Sequence, residues 1–297
     1  MIKEFGAPYM GSKSRIALDI LKRLPPGKRF VDLFGGGFAV SHAAALTNKW
    51  GSVLYNDINP LITDLIKRAI GGEFNYENFK PKWISRDEFN LNKDKDGYIK
   101  YIWSFGNKGE GYLYGEDVAP LKKLAHNLIV FGVKDKWFDV NCPGIYKHIN
   151  SNNIHVRRLQ LYRYFRGEIK KQLRTQQLQH LEMFKRSQHL ERLDRLQRLD
   201  GIDRSLKITN ISYDKYEYRE GDVVYLDPPY NGTIDYGVKF DHKAFYDWCY
   251  SRPYQVWFSS YEIPDKRFKL VYAAQLFSRL SREGDRRLAY ERLYTNK

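Results

Sequence analysis

The sequence predicts an α/β protein in which helices cover both faces of a parallel sheet, with a mainly helical segment inserted in the middle of the chain. Three observations support this: strand and helix patterns alternate near both ends, the alternation stops in between, and the segment at 222–226 is an apolar run typical of a buried strand. Strands that are apolar on both faces are typical of parallel sheets covered by helices. The chain of 297 residues is long enough for such a core and an insert.

The first part of the chain alternates helices and strands in the order expected of β-α-β units. The predicted elements are a helix at residues 14–23, a strand at 29–34, a helix at 39–46, a strand at 52–57 and a helix from residue 60 onward. Pro25 and Pro26 end the first helix, and Pro60 suits the first turn of the third. Such units place their strands in parallel with right-handed crossovers.

The alternation fades between about residues 75 and 205. Residues 92–117 are polar and rich in glycine, lysine and tyrosine, which predicts loops. Residues 157–200 contain no proline and only one glycine, which predicts a long, basic helical stretch. Leucines recur every third residue from Leu190 to Leu199, which favours a helix with a broad apolar side over a coiled coil.

Sheet-forming patterns return after residue 205. The predicted elements are strands at 206–209, 222–226 and 255–260, a helix at 241–251 and a hairpin of 268–274 with 288–294. We therefore predict that residues 1–75 and 206–297 form the core and that residues 76–205 form the insert.

The clearest functional signal is the sequence Asp227-Pro228-Pro229-Tyr230, which follows the apolar strand at 222–226. Two consecutive prolines cannot continue a sheet ladder, so the strand ends there. Open α/β sheets bind ligands at the carboxyl ends of their strands. A carboxylate, rigid carbonyls and an aromatic ring at this edge can hold an aminopurine by its face and its exocyclic amine. The alternative is an ordinary strand end with a Pro-Pro turn.

A glycine-rich loop follows the first strand, and an acid ends the second. Gly35, Gly36 and Gly37 allow a ligand to approach the backbone closely. The loop is neither a G-x-G-x-x-G dinucleotide sequence nor a P-loop, so nicotinamide cofactors and ATP fit poorly. Asp57 is suited to accept hydrogen bonds from ribose hydroxyls, which fits a nucleoside ligand such as S-adenosylmethionine. The alternative for Asp57 is a cap on the helix at Pro60.

A tyrosine, a glycine and a lysine precede the first strand, within residues 9–13. Tyr9 and Lys13 can close over the methionine end of such a ligand, with the lysine neutralising its carboxylate. A lysine near a helix start is also commonly just solvated.

The formal net charge of +15 indicates a polyanionic partner, of which nucleic acid is the commonest. Cys142 and Cys249 have neither CxxC spacing nor a paired histidine, so we expect no metal site and no disulfide. The sequence has no apolar run of 18 residues and no signal pattern at its start. We therefore expect a soluble, cytoplasmic protein of bacterial or phage type with no membrane association.

Four sequence elements together resemble a known enzyme family. Residues 9–13, 30–37, 56–59 and 227–230 occur in the order seen in site-specific DNA adenine N6-methyltransferases of the Dam type, the alpha group of the D12 class. The resemblance covers most of the chain apart from the helical stretch at 157–200. It implies a Rossmann-like, S-adenosylmethionine-dependent methyltransferase core with an inserted, mainly helical target-recognition domain.

The resemblance also implies roles for individual residues. The catalytic residues would be Asp227, Pro228, Pro229 and Tyr230. The cofactor would be bound by Tyr9, Lys13, Asp32, Phe34, Gly35, Gly37, Asp57, Ile58 and Asp227. N4-cytosine enzymes more often carry serine at the position of Asp227, and many RNA-modifying relatives carry asparagine. Asp227 thus favours adenine in double-stranded DNA as the substrate.

Basic residues of the insert are the candidates for contacts with DNA phosphates. They are Arg157, Arg158, Arg163, Arg166, Lys170, Lys171 and Arg174. A solvated helix face is the alternative for this basic run. Trp103 and Asn107 lie in the family's recognition region, which makes them candidates for base contact.

Two other functions are compatible with the sequence. One is a catalytically silent DNA-binding protein on a methyltransferase scaffold, whose function lies in the basic helical segment. The intact elements at 9–13 and 227–230 argue against it, since a silent scaffold needs neither. The other is methylation of adenine in RNA.

Overall fold

A computed structural model of the chain describes residues 4–171, 187–202, 205–230, 240–263, 265–277 and 288–297. Side chains are described in these ranges except at 168–171, 276–277 and 288–289. The chain forms two compact units, one of Met1–Lys67 with Gly201–Lys297 and one of Arg68–Asp200. The boundaries predicted after residues 75 and 205 fall a few residues further along the chain than these.

In the first unit, the helices and strands begin and end within a few residues of the predicted positions. The helices are α1 (Ala17–Arg23), α2 (Ala39–Ala45), α3 (Pro60–Ile70), α4 (Arg86–Asn92), α5 (Gly97–Ile102), α6 (Ala119–Phe131), α7 (Lys136–Asn141), α8 (Ile145–His148), α9 (Ile154–Lys171), α10 (Gln188–Gln197) and α11 (His242–Ser251). The strands are β1 (Gly27–Asp32), β2 (Trp50–Asn56), β3 (Leu206–Thr209), β4 (Asp222–Leu226), β5 (Val256–Ser260), β6 (Lys269–Phe277) and β7 (Leu288–Thr295).

The sheet of the first unit reverses its strand order next to β1. Within the described residues, seven strands form one sheet in the order β3-β2-β1-β4-β5-β7-β6. The first five are parallel, and β7 lies antiparallel between β5 and β6. The chain adds β2 and β3 on one side of β1, and β4 and β5 on the other. A ligand crevice forms outside the carboxyl ends of the strands at such a reversal.

Side chains of β1 and β4 alternate between two apolar layers, one on each face of the sheet. Phe30, Val223 and Tyr225 pack with α1 and α2, whereas Val31 and Val224 pack with α11. All five are buried. Helices thus cover both faces, as expected for parallel strands with apolar side chains on both sides. The predicted α/β fold class is confirmed.

The second unit is helical in its described part. The stretch predicted as helix over 157–200 contains the C-terminal part of α9 and the whole of α10, and residues 172–186 lie outside the described residues. The leucines spaced three apart are all fully buried; they are Leu190, Leu193, Leu196 and Leu199. These leucine side chains therefore form part of the core of this unit.

The prediction that residues 92–117 are loop was wrong over α5. The side chain of Asp96 accepts hydrogen bonds from the N–H groups of Tyr98 and Ile99 and so caps this helix. Tyr98 and Tyr101 are buried. The polar composition was misleading because tyrosine side chains of this segment form core rather than surface.

A hydrogen-bonded polar network is buried in the second unit. Tyr114 Oη lies 2.7 Å from His189 Nδ1, and His189 Nε2 lies 2.9 Å from His126 Nδ1. Burial lowers the pKa of His126 to about 4. Burial also lowers the pKa of His189, and charge on His126 and Lys122 lowers it further. Both imidazoles are therefore neutral in the folded protein at neutral pH.

Acid is expected to destabilise the second unit through these two histidines. An unfolded histidine binds a proton near pH ~6.5, whereas folded His126 binds one only near pH 4. Unfolding then takes up protons, so this stabilisation is complete above the unfolded pKa and is lost as pH falls toward the folded one. Urea unfolding followed by circular dichroism at neutral and acid pH measures the loss. His126→Gln should reduce it, and equal pH dependence in variant and wild type would contradict the assignment.

Candidate active site

Three carboxylates follow the carboxyl ends of neighbouring strands in the first unit. Asp32 ends β1, Asp57 follows β2 and Asp227 follows β4. Because β2, β1 and β4 are adjacent and parallel, these residues lie at one edge of the sheet. The edge coincides with the reversal of strand order, where folds of this kind bind ligands.

The glycine loop after β1 is held against β2 and packs on Tyr9. The N–H of Gly35 donates to the carbonyl of Asn56 at 2.8 Å. A Cβ added at Gly37 would lie 2.5 Å from the Cβ of Tyr9, and one at Gly36 would lie 3.0 Å from its ring. Glycine at both positions therefore allows Tyr9 to approach the loop. The predicted cofactor residues Tyr9, Gly35 and Gly37 are thus brought together.

Asp57 joins this loop to the start of α3. Its Oδ2 accepts the N–H of Gly36 at 2.8 Å, and its Oδ1 accepts the N–H of Asn59 at 2.8 Å. The side chain that accepts the N–H of Leu61 in the first turn of α3 is Asn59, so Asp57 does not have the helix-capping role considered above. Each carboxylate oxygen retains lone-pair capacity for a hydroxyl donor. Burial raises the pKa of Asp57. The hydrogen bonds from the two N–H groups act in the opposite direction and lower it.

Two predicted cofactor residues next to these acids are apolar. Ile58 is 63% exposed, which is high for a large aliphatic side chain. Phe34 is partly buried and packs against Tyr213 and Phe240. An exposed isoleucine beside Asp57 can cover one face of an aromatic ring without rearrangement.

Asp32 is a buried carboxyl group with an unsatisfied oxygen. The hydroxyl of Ser41 donates to its Oδ2 at 2.7 Å, while its Oδ1 has no hydrogen-bond partner among the described residues. Burial raises the pKa of Asp32 to about 7; the Ser41 hydrogen bond opposes this rise, and the charges of Asp227 and Asp57 add to it. A buried polar atom without a partner is costly unless something supplies one.

The tetrapeptide at 227–230 begins where β4 ends, and its acid is paired with Lys13. Lys13 Nζ lies 2.9 Å from Asp227 Oδ2 and 4.6 Å from the centroid of the Tyr230 ring. Tyr230 Oη lies 3.1 Å from Asp227 Oδ1. Of the two prolines between Asp227 and Tyr230, Pro228 is buried and Pro229 is partly buried. The lysine that we expected to neutralise a ligand carboxylate thus neutralises Asp227 in this structure.

A second carboxylate, Glu291 of β7, completes this group. Glu291 Oε2 lies 2.5 Å from Tyr230 Oη and 3.8 Å from Lys13 Nζ. The Tyr230 ring also contacts Tyr261, with 4.5 Å between ring centroids. Sequence reasoning missed Glu291, although an acid in the middle of a predicted hairpin strand was an available signal. We call Lys13, Asp227, Tyr230 and Glu291 the carboxylate cluster.

The carboxylate cluster holds two acids and one cation away from water. The side chains of Lys13, Asp227 and Glu291 are 7%, 16% and 13% exposed. Burial raises the pKa of Asp227 and of Glu291, and Lys13 acts to lower both. One ammonium therefore compensates two buried carboxylates only in part.

The sequence matches the D12 class N6 adenine-specific DNA methyltransferase family over residues 9–247. The match covers most of the chain and includes the elements at 9–13 and 227–230. The chain belongs to this family and is a DNA adenine N6-methyltransferase. The resemblance drawn from the four sequence elements is confirmed, and the family favours neither a silent scaffold nor an RNA substrate.

The basic residues predicted to contact DNA differ in their exposure. Arg163 and Arg166 are exposed and, being three residues apart, lie on neighbouring positions of one face of α9. The side chains of Lys170 and Lys171 and all of Arg174 lie outside the described part of the chain. Only the first two thus have a described side chain exposed to a partner.

The other two predicted arginines make contacts within the second unit. Arg158 is 16% exposed and forms an ion pair with Asp194. Arg157 Nη2 donates to the carbonyl of Val130 at 3.0 Å. These contacts hold α9 to its neighbours, so both side chains have structural partners.

Trp103 was a candidate for base contact, and its environment corrects that expectation. Its indole is fully buried and packs against Trp83 and His189. Asn107 follows in a turn with φ +59°, a conformation that asparagine tolerates. Phe105 in the same turn is 68% exposed and was not predicted.

Among the described residues, no group of three or more His, Cys, Asp or Glu side chains is placed to hold a metal ion. The described helices include none that is both long and apolar enough to cross a membrane.

Proposed function

We propose that this enzyme transfers a methyl group from S-adenosylmethionine to N6 of an adenine that is turned out of double-stranded DNA. The observation that carries the proposal is the contact of Asp227 with Lys13 and Tyr230 at the reversal point of the sheet. Family membership supplies the adenine and the DNA. The methyl donor and the extruded base are inferred from the chemistry of the residues.

The sheet edge has a carboxylate and an apolar side chain that suit S-adenosylmethionine. Asp57 offers carboxylate lone pairs to the ribose hydroxyls. The exposed side chain of Ile58 suits the face of the adenine ring. When bound, the cofactor supplies an electrophilic methyl group on a sulfonium.

Asp227 and the carbonyl of Pro228 are the groups that we assign to the target amine. The N6 lone pair of adenine is delocalised into the ring, which makes the nitrogen a poor nucleophile. Hydrogen bonds from its two hydrogens to these oxygens draw the nitrogen toward tetrahedral geometry and localise the pair. Alignment with the methyl group contributes on the order of 7 kcal/mol through proximity.

Tyr230 is assigned to the extruded base. An adenine in a duplex must leave the stack to reach the sheet edge, at a cost of a few kcal/mol. Stacking on an aromatic side chain offsets ~1–3 kcal/mol of that cost. The hydroxyl of Tyr230 is held near Asp227 and Glu291, which fixes the orientation of its ring.

Transfer of label from methyl-labelled S-adenosylmethionine to a mixed-sequence duplex tests the proposal. Nucleoside analysis is expected to find N6-methyladenine, and methylation-sensitive sequencing is expected to place it within one short motif. Label on cytosine N4 would overturn the base assignment. A preference for RNA in competition would overturn the substrate, and no binding of S-adenosylmethionine would overturn the cofactor.

Arg163 and Arg166 are expected to contribute phosphate contacts. Replacing both with alanine should weaken binding to all duplex sequences alike and reduce the slope of log affinity against log salt by about two. The variant Arg163→Lys with Arg166→Lys keeps both charges and should retain that slope. Fluorescence anisotropy across a salt series measures it; an unchanged slope in the alanine variant would remove these residues from the interface.

The turn that contains Asn107 remains our candidate for contact with bases. Phe105 replaces Trp103 in this role because it is the exposed aromatic side chain of the turn. Large exposed aromatic groups stack readily on nucleobases. Phe105→Ala should weaken DNA binding without loss of stability, since the removed ring makes little core contact.

A further inference from the structure

The hydroxyl of Tyr230 lies between two carboxylates but can donate a hydrogen bond to only one of them. It is 3.1 Å from an oxygen of Asp227 and 2.5 Å from an oxygen of Glu291. A phenol carries one proton and so donates one hydrogen bond; it accepts through its lone pairs. If both carboxylates are ionised, one of the two contacts has no proton. A proton taken up by either carboxyl group would let both contacts be made, so this pair of hydrogen bonds can accept one proton without losing either contact.

Once a proton has been taken up, the charges around the two carboxyl groups favour its position on Glu291 over Asp227. Lys13 Nζ is 2.9 Å from Asp227 but 3.8 Å from Glu291, so it stabilises the ionised form of Asp227 more strongly. In the part of the chain that the structure describes, Tyr225 and Tyr261 are the other titratable groups that act on this carboxylate, and both stay neutral because burial raises their pKa values.

The described residues of the strands beside Glu291 add no cation to it. Its partner on β6 is Ala274. The next residue on β7, Arg292, points to the opposite face and pairs with Glu262 at 3.3 Å. Glu291 therefore depends on Lys13 for its compensating charge among the described residues.

Methylation of N6 releases one proton for every methyl group. The N6 lone pair forms the new N–C bond while the C–S bond breaks and its electron pair stays on sulfur. The nitrogen becomes positively charged and then loses one of its hydrogens as a proton. In the proposed arrangement that hydrogen already points at Asp227, which receives the proton first.

We propose that Glu291 is the terminal acceptor of this proton and receives it from Asp227 through the hydroxyl of Tyr230. Asp227 passes the proton to the phenolic oxygen, which gives its own proton to Glu291, so that Asp227 regains its charge beside Lys13. The inference rests on the proposed function above. Glu291 acts through Tyr230 and is a positioning residue for the proton. It lies beyond the family match, which ends at residue 247.

Two variants interrupt this proton transfer at different points along Asp227, Tyr230 and Glu291. Glu291→Gln keeps an oxygen that accepts from Tyr230 but cannot take up a proton. Tyr230→Phe keeps the ring and removes the hydroxyl. Each is expected to lower the rate of methyl transfer at least about tenfold, with affinities for cofactor and DNA within about twofold of wild type. The double variant should be no slower than the slower single variant, because both changes interrupt the same path of proton transfer.

The pH profile separates this role from a purely structural one. In wild type the rate should fall on the acidic side as the two carboxylates are protonated. Glu291→Gln leaves Asp227 alone beside Lys13, so the fall should move to lower pH while the plateau is reduced. The matched control is Glu262→Gln, whose side chain is 81% exposed and which should match wild type.

The outcomes are distinct. A wild-type rate and pH profile in Glu291→Gln, or rate losses that multiply in the double variant, would overturn the role of Glu291 and leave the proposed function intact. A wild-type enzyme that forms no N6-methyladenine with S-adenosylmethionine would overturn both.

Discussion

Replacement of Asp227 by asparagine is expected to lower the rate of methyl transfer by at least about 10²-fold. The amide has nearly the same shape and its oxygen can still accept from Lys13, but it carries no negative charge toward the N6 amine and cannot accept its proton. Binding of cofactor should change little by comparison. Single-turnover transfer at saturating cofactor and DNA measures the chemical step without product release.

Asp247→Asn provides the control for this variant. Asp247 is a half-exposed acid of α11 that pairs with Lys243 and Arg267, away from the sheet edge. Its replacement should leave the transfer rate near that of wild type. A transfer rate for Asp227→Asn equal to that of the control variant would contradict the role that we assign to Asp227.

Replacement of Lys13 by methionine is expected to destabilise the protein by about 3 kcal/mol at neutral pH, because it leaves buried carboxylates without their cation. Methionine keeps most of the length of the side chain and removes its charge and its N–H donors. Asp227 and Glu291 both lie within 4 Å of the lost ammonium, at 2.9 and 3.8 Å. Urea unfolding gives the free energy of unfolding for variant and wild type.

The pH dependence of this loss has a definite sign. Burial raises the pKa values of both carboxyl groups, and removal of Lys13 raises them further. The folded variant then binds protons that the unfolded chain releases, so its stability deficit shrinks as pH falls toward the raised pKa values. Lys22→Met, at a side chain that is 72% exposed, should cost little at any pH. A deficit for Lys13→Met that is independent of pH would contradict the charge argument.

The parts of the site that the sequence predicted are those that depend on local pattern. The apolar run before Asp227, the two prolines after it and the glycines after β1 each fix a strand end by steric rules. Parallel pairing then brings strand ends to one edge, which is why Asp57 and Asp227 were predicted to share a site. Contacts of this kind follow from topology alone.

The parts that the sequence did not predict depend on contacts between distant segments. Glu291 reaches Tyr230 only because β7 pairs in antiparallel fashion with β5 at the end of the sheet. Lys13 was assigned to a ligand carboxylate, but its partner is decided by which acid the fold places beside it. Trp103 lies in a polar segment, and its burial follows from the packing of the second unit.

The DNA-contacting surface was the least predictable part. A basic run of sequence does not distinguish an arginine that pairs within the protein from one that is free to meet a phosphate. Arg158 forms an ion pair with Asp194, whereas Arg163, five residues later, is exposed. The helical period places residues five apart on different sides of the helix, and which side is buried is decided by the packing of the second unit.

The most direct test is a crystal structure of the enzyme with S-adenosylhomocysteine and a duplex that contains its methylation motif. We expect the target adenine outside the stack, its ring on Tyr230, and its N6 within about 3 Å of both a carboxylate oxygen of Asp227 and the carbonyl of Pro228. An adenine that stays paired in the duplex, or an N6 that contacts neither oxygen, would contradict the assignment of this sheet edge as the active site.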